Sequence, residues 1–171
     1  MQLTRFTDIG LRVVMRLAVA GESPSATTPM TATPLTTRAL ANELAVPYTH
    51  VAKVVGRLSE MGVVHARRGR SGGLAITELG RDAQVGWLAR SLEGEDEVID
   101  CEGPQPCPLR HACRLRGALA RARNAFFASL DDETVADLVR EPTAGVLLSL
   151  TARPESLPDN DSRSPSPARN A

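Results

Sequence analysis

A chain of 171 residues, 42% of them hydrophobic, is long enough for one domain with a small appendage. Aromatics make up only 3%, so the core must be built from Ala, Val and Leu. Net charge is zero but uneven: residues 1–92 carry 11 basic and 6 acidic side chains, residues 93–150 carry 6 and 11, and the basic first part suits a polyanion partner.

The first apolar run, TDIGLRVVMRLAVA (7–20), is interrupted by Arg12 and Arg16 and is too short to span a bilayer. With nothing resembling a signal peptide, a cytoplasmic protein with no membrane partner is expected. The same run predicts a helix capped by Thr7 or Asp8, with Ile9, Val13, Leu17 and Ala20 facing inward. The Pro-, Ser- and Thr-rich stretch at 22–34 predicts a flexible loop. Residues 37–45 form a second helix, capped by Thr36 or Thr37, with Ala39, Leu40 and Leu44 inward. After a turn at Val46 and Pro47, with Pro47 as first helical residue, a third helix runs to Gly62 and buries Val51, Val55 and Leu58. VVHA (63–66) and LAI (74–76) predict a hairpin around the turn RRGRSGG (67–73). One helix is then expected from Thr77 to near Gly94. Residues 100–113, DCEGPQPCPLRHAC, hold three prolines that block regular structure. A longer helix follows from Cys113 to Leu130, with Leu115, Leu119, Ala122 and Phe126 on one stripe that could pack on a partner helix. Short helices from Asp131 or Asp132 to Arg140 and from Pro142 to Leu150 precede a tail, 151–171, expected to be disordered.

Two short helices and a tight turn, followed by a basic hairpin, are the order of a winged helix-turn-helix. The third helix would enter a major groove with Thr49, His50 and Lys53 at base edges, while Tyr48 contacts a phosphate or braces the turn. Arg67, Arg68 and Arg70 among glycines would approach the phosphate backbone or a minor groove. A protein-binding winged helix with solvated arginines is the bland alternative.

Cys101, Cys107 and Cys113, the three cysteines of the chain, are each separated by five residues. In a reducing compartment such a cluster binds metal or reacts more readily than it forms disulfides. Thiolates select zinc or an iron–sulfur cluster; structural zinc sites bring ligands in closer pairs, so this spacing favours a cluster. Three thiols leave one position open, with Asp100, Glu102, His111 or a remote residue as candidates.

Three stretches together, LTRFTDIGLRVVMRLA, VPYTHVAKVVGRLSEMGVVHARRGRSGGLAIT and CEGPQPCPLRHAC, give the chain up to about residue 150 a family resemblance. It resembles the NsrR repressors, nitric-oxide sensors among the winged-helix iron–sulfur regulators that also include IscR. The resemblance implies a mainly α fold: a winged helix-turn-helix with a two-stranded β wing, a long dimerisation helix and a cysteine-bearing cluster loop. It implies a DNA-binding domain at 1–92, a cluster loop and dimerisation helices at 93–150, and a homodimer. It further implies one [4Fe–4S] cluster per subunit held by Cys101, Cys107 and Cys113, with Asp8 of the other subunit as fourth ligand and Arg12 supporting Asp8. The implied activity is repression at a palindromic DNA operator, relieved by nitric oxide, and not enzymatic. Two features depart from the pattern: the 22–34 loop is longer, and His111 places an imidazole inside the cysteine loop. The same fold could instead sense iron–sulfur supply or redox state through a [2Fe–2S] cluster, or be a zinc-stabilised adaptor. An oxidoreductase reading lacks any nucleotide-binding glycine motif.

Overall fold

The computed structural model describes residues 2–22, 35–67, 72–94 and 97–150. The expected loop at 22–34, the wing-tip residues Arg68 and Arg70, and the tail at 151–171 therefore lie wholly or mostly outside the described residues.

α1 (Arg5–Glu22) buries Ile9, Val13, Val14, Leu17 and Ala18 and packs against α3, α5, β2, α7 and α8. Ala20, expected inside, is exposed. The run of buried residues on this helix ends at Val19.

α2 (Thr37–Glu43) starts at Thr36, whose Oγ1 accepts from the Ala39 amide at 3.1 Å. It stops two residues earlier than the sequence suggests. Leu44 caps it and Ala45 turns the chain at φ 53°, the left-handed region, with the Val46 amide donating to Ala41 O at 2.9 Å. α3 (Tyr48–Glu60) begins one residue after Pro47, which serves as its cap, and buries Val51, Val54, Val55 and Leu58. Gly62, at φ 72°, turns the chain out of α3 into β1 (Val64–Arg67), and β2 (Gly73–Ile76) returns antiparallel with Val64 opposite Ile76. The Leu74 amide donates to Leu35 O at 2.8 Å, docking the hairpin on the segment before α2.

The single helix expected from Thr77 to Gly94 is two: α4 (Glu78–Asp82) and α5 (Val85–Glu93). Between them Ala83 and Gln84 are extended, and Gln84 bridges Thr134. The Val135 amide donates to Ala83 O at 3.0 Å, and the Val85 amide to Glu133 O at 2.9 Å. A distant segment thus takes the backbone groups an unbroken helix would have used internally.

α6 (Arg114–Leu130) packs on α5. Its deepest residue is Phe127, fully buried, and the Phe127 carbonyl lies so close to Gly86 that no Cβ fits there. Of the stripe expected to meet a partner helix, Leu115 is 60% exposed and Ala122 is exposed, while Leu119 and Phe126 are partly buried. α7 (Val135–Leu138) opens at Thr134, not at Asp131 or Asp132, through a reciprocal capping box with Asp137. Those Thr134 hydrogen bonds hold the Asp137 carboxyl below its ordinary pKa. α8 (Thr143–Ser149) follows Pro142 and sets Leu147 against the core. Among the described residues no helix is long and apolar enough to cross a membrane.

Candidate nucleic-acid interface and thiol site

The buried valines of α3 fix which of its sides remains outside. Tyr48, Thr49, His50 and Lys53 are all exposed on its first two turns, where a reading helix carries its contact residues. Arg67 is exposed at the end of β1. Arg57, further along α3, is engaged: it lies 3.5 Å from Glu60 and from Ser91 O. One residue of this surface was not anticipated. Arg38, exposed in the first turn of α2, places its guanidinium 4.9 Å from the Tyr48 ring centroid. This cation–π contact braces Tyr48 and adds a positive charge beside the start of α3. Sequence shows an arginine just after the Thr36 cap, but only the fold sets it over the aromatic ring.

The cysteine loop is irregular yet tied. The Cys107 amide donates to Cys101 O at 3.1 Å, and the Arg110 amide to Cys107 O at 3.1 Å. Cys113 caps α6, its Sγ accepting from the Arg116 amide at 3.4 Å. Arg116 acts as a clasp. Its fork donates twice to Glu97 at 2.6 Å, and its Nη1 reaches Glu102 and Arg110 O at 3.4 Å each. One guanidinium thus joins the entry, middle and exit of the loop. Bidentate geometry of this kind is the stronger form of an ion pair. Arg116 pulls the Glu97 carboxyl below its usual range.

All three thiols are free; Cys101 is buried, and Cys107 and Cys113 are partly so. Burial pushes the Cys101 thiol pKa up; Arg116 opposes this, and Cys107, Glu97 and Cys113 add to the rise. Among the described residues no three His, Cys, Asp or Glu side chains converge as a single metal ion would require. Three neighbouring soft donors, one already accepting an N–H hydrogen bond, suit the chemistry of an iron–sulfur cluster. His111 is exposed on the same loop.

Asp8 and Arg12 stand on the outward side of α1, where Arg12 Nε donates to Asp8 Oδ1 at 2.9 Å. Both are about half exposed, so the pair adds little to stability. With Gln2, Leu3, Arg5 and Phe126 they line an open hollow of about 650 Å³ that includes none of the cysteines. Within one chain, then, Asp8 faces α6 and not the thiol loop. The turn bearing Asp8 is nevertheless anchored to the loop's entry, because Thr4 donates to Glu93 through its amide (2.7 Å) and its hydroxyl (3.0 Å).

The sequence pattern of the Rrf2 family, described as iron-dependent transcriptional regulator, matches residues 3–141. The HTH-type transcriptional repressor NsrR of Streptomyces coelicolor is 58% identical over 154 residues, covering 90% of this chain and 99% of that one. Two solved structures share the fold. IscR of T. potens superposes with a TM-score of 0.58 at 19% identity, covering 81% of this chain and 86% of that one. CymR, the global cysteine regulator of B. subtilis, gives 0.55 at 21%, covering 81% and 95%.

Proposed function

This chain belongs to the Rrf2 family of iron-dependent transcriptional regulators, a repressor homologue and not an enzyme, and from that premise we propose that it represses transcription as a homodimer and senses nitric oxide. The single observation carrying the reading is the trio of free thiols in one clasped loop, on the same body as an exposed reading helix. Cys101, Cys107 and Cys113 would hold a [4Fe–4S] cluster, and Asp8 of the other subunit would complete it. When bound, the cluster supplies iron that reacts with nitric oxide.

The chain's own residues do the rest. Asp8 is solvent-accessible beside Phe126 of α6, on a face that a second subunit could reach. Arg12 orients its carboxylate. The exposed stripe on α6, with Leu115 outermost, is where a second α6 would pack. Two subunits so joined would set two reading helices about one helical turn apart on a palindromic operator. Once Asp8 is released, α1 is free to take another position against α3 and α5, shifting the population away from the DNA-binding arrangement.

Anaerobic purification and nitric oxide titration test the reading, with iron and sulfide analysis and binding to an operator duplex selected from random DNA. Four irons and four sulfides per chain, spectral loss with nitric oxide and a parallel loss of affinity are expected. Zinc in place of iron, two irons per chain, or affinity indifferent to nitric oxide would overturn it. On the fourth ligand, Asp8→Ala should destabilise the cluster while His111→Ala retains it, as read from the decay of visible absorbance. The opposite order would make His111 the ligand.

The DNA face yields a separate prediction. Lys53→Ala should weaken operator binding and relax specificity at the base it reads, with the chromophore intact. Arg38→Ala should instead weaken binding to all sequences alike and reduce the salt slope by about 1, and salt titrations of both variants on operator and unrelated duplexes check this.

A further inference from the structure

Arg16 is the buried charged residue among those described, at 3% exposure. Its Nε donates to Glu43 Oε2 at 2.8 Å, with the two side chains only 4% and 15% exposed. Its Nη1 is also buried and finds no hydrogen-bond partner among the described residues. A buried ion pair with a donor left over is a poor stabilising device, since an apolar pair of similar volume commonly does as well or better. Glu43 is the last residue of α2, where the helix dipole disfavours a negative charge. Stability does not explain this pair; its position does.

Arg16 stands about two turns along α1 from Asp8 and one from Arg12, rotated from their exposed side to the buried one, about 12 Å from Asp8 along the axis. Glu43 stands at the corner of the helix-turn-helix. After it come Leu44, then Ala45 with its positive φ, then Pro47 and the reading helix. The rest of the α1 contact with this unit is aliphatic, with Val13, Val14 and Leu17 sharing a core with Val51, Val54 and Leu58. Aliphatic contacts are non-directional and tolerate sliding. A charge-assisted hydrogen bond in a low-dielectric interior is directional and does not.

We infer that Arg16 and Glu43 are positioning residues that fasten α1 to the helix-turn-helix corner, so that a displacement at Asp8 is delivered to the reading helix. This rests on the proposed reading in which the Asp8 end of α1 is the sensing end. The pair touches neither DNA nor cluster; it couples them.

The test is the double variant Arg16→Met, Glu43→Leu, which removes both charges together and strands neither. For wild type and variant, dimer mass, melting temperature and visible absorbance are recorded first. Affinity for an operator duplex selected by the cluster-loaded wild type is then measured with the cluster present and after its removal. Expected is a folded, cluster-loaded variant whose ratio of the two affinities is at least about fivefold smaller than wild type, the lower range of allosteric couplings. An unchanged ratio in a folded, loaded variant overturns the inference and leaves the repressor reading intact. A wild-type ratio near one overturns the reading itself, and the inference with it. Should the double variant not fold, Glu43→Gln keeps an acceptor for Arg16 without the charge, and the same ratio decides: lowered supports the coupling, unchanged overturns it.

Discussion

Cys101→Ala is expected to yield a colourless protein without iron and sulfide, since loss of even a supporting residue costs roughly 10- to 100-fold in affinity at a metal site. Cys101 is the buried thiol of the three, and the carbonyl of the same residue accepts the Cys107 amide. Its backbone is thus tied into the loop and its thiol is held away from solvent. Cys107→Ala and Cys113→Ala should lose the chromophore as well, but Cys113 differs because its sulfur also caps α6. Cys113→Ala removes both a proposed ligand and a cap, and a lost cap costs about 1 kcal/mol. Cys113→Ser restores a good capping oxygen in place of a soft thiolate. Helix content by circular dichroism should therefore fall slightly in Cys113→Ala and recover in Cys113→Ser, while visible absorbance stays absent in both. Retained colour in any of the four variants would remove that cysteine from the ligand set.

Local signals carried much of the architecture. The spacing of Val51, Val55 and Leu58, the Thr36 cap and the glycine-rich hairpin specified the reading unit, because each acts over a few residues. The prolines between Cys101 and Cys113 marked an irregular loop for the same reason. What escaped was set by distant partners. Nothing near Ala83 breaks a helix; Val135 and Glu133, about fifty residues on, take the hydrogen bonds of the Ala83 carbonyl and the Val85 amide. On α6 the sequence singles out the Leu115–Phe126 stripe, while the residue buried in the seam with α5 is its neighbour Phe127. Arg116 meets Glu97, Glu102 and Arg110 O only because the loop folds back on the start of α6. Arg16 likewise has its partner, Glu43, on another helix.

That seam supports the second large prediction, Phe127→Ala. Phe127 is fully buried, meets Phe126 edge-to-face at 5.4 Å between centroids, and lies under two guanidinium groups, Arg90 at 5.3 Å and Arg123 at 5.1 Å. Truncation deletes the buried ring, leaves a cavity and removes both cation–π contacts. Substitutions of this kind cost about 3–5 kcal/mol, which is a large fraction of the 5–15 kcal/mol that typically separates folded from unfolded protein. The cavity cannot close easily, because Gly86 already sits against the Phe127 backbone and α5 can come no nearer there. Phe126→Ala is the control: that side chain is only partly buried and lines the open hollow beside Asp8, so its loss should cost the monomer far less. Chemical denaturation of the two cluster-free variants separates them, and equal losses would show that the seam does not depend on Phe127. A second consequence concerns the thiols. α6 starts at Cys113, and the Arg123 that stacks on Phe127 also donates to Gly94 O at the loop's entry. Loosening the seam therefore loosens both ends of the cysteine loop, and cluster-loaded Phe127→Ala should release its iron to a chelator faster than Phe126→Ala does.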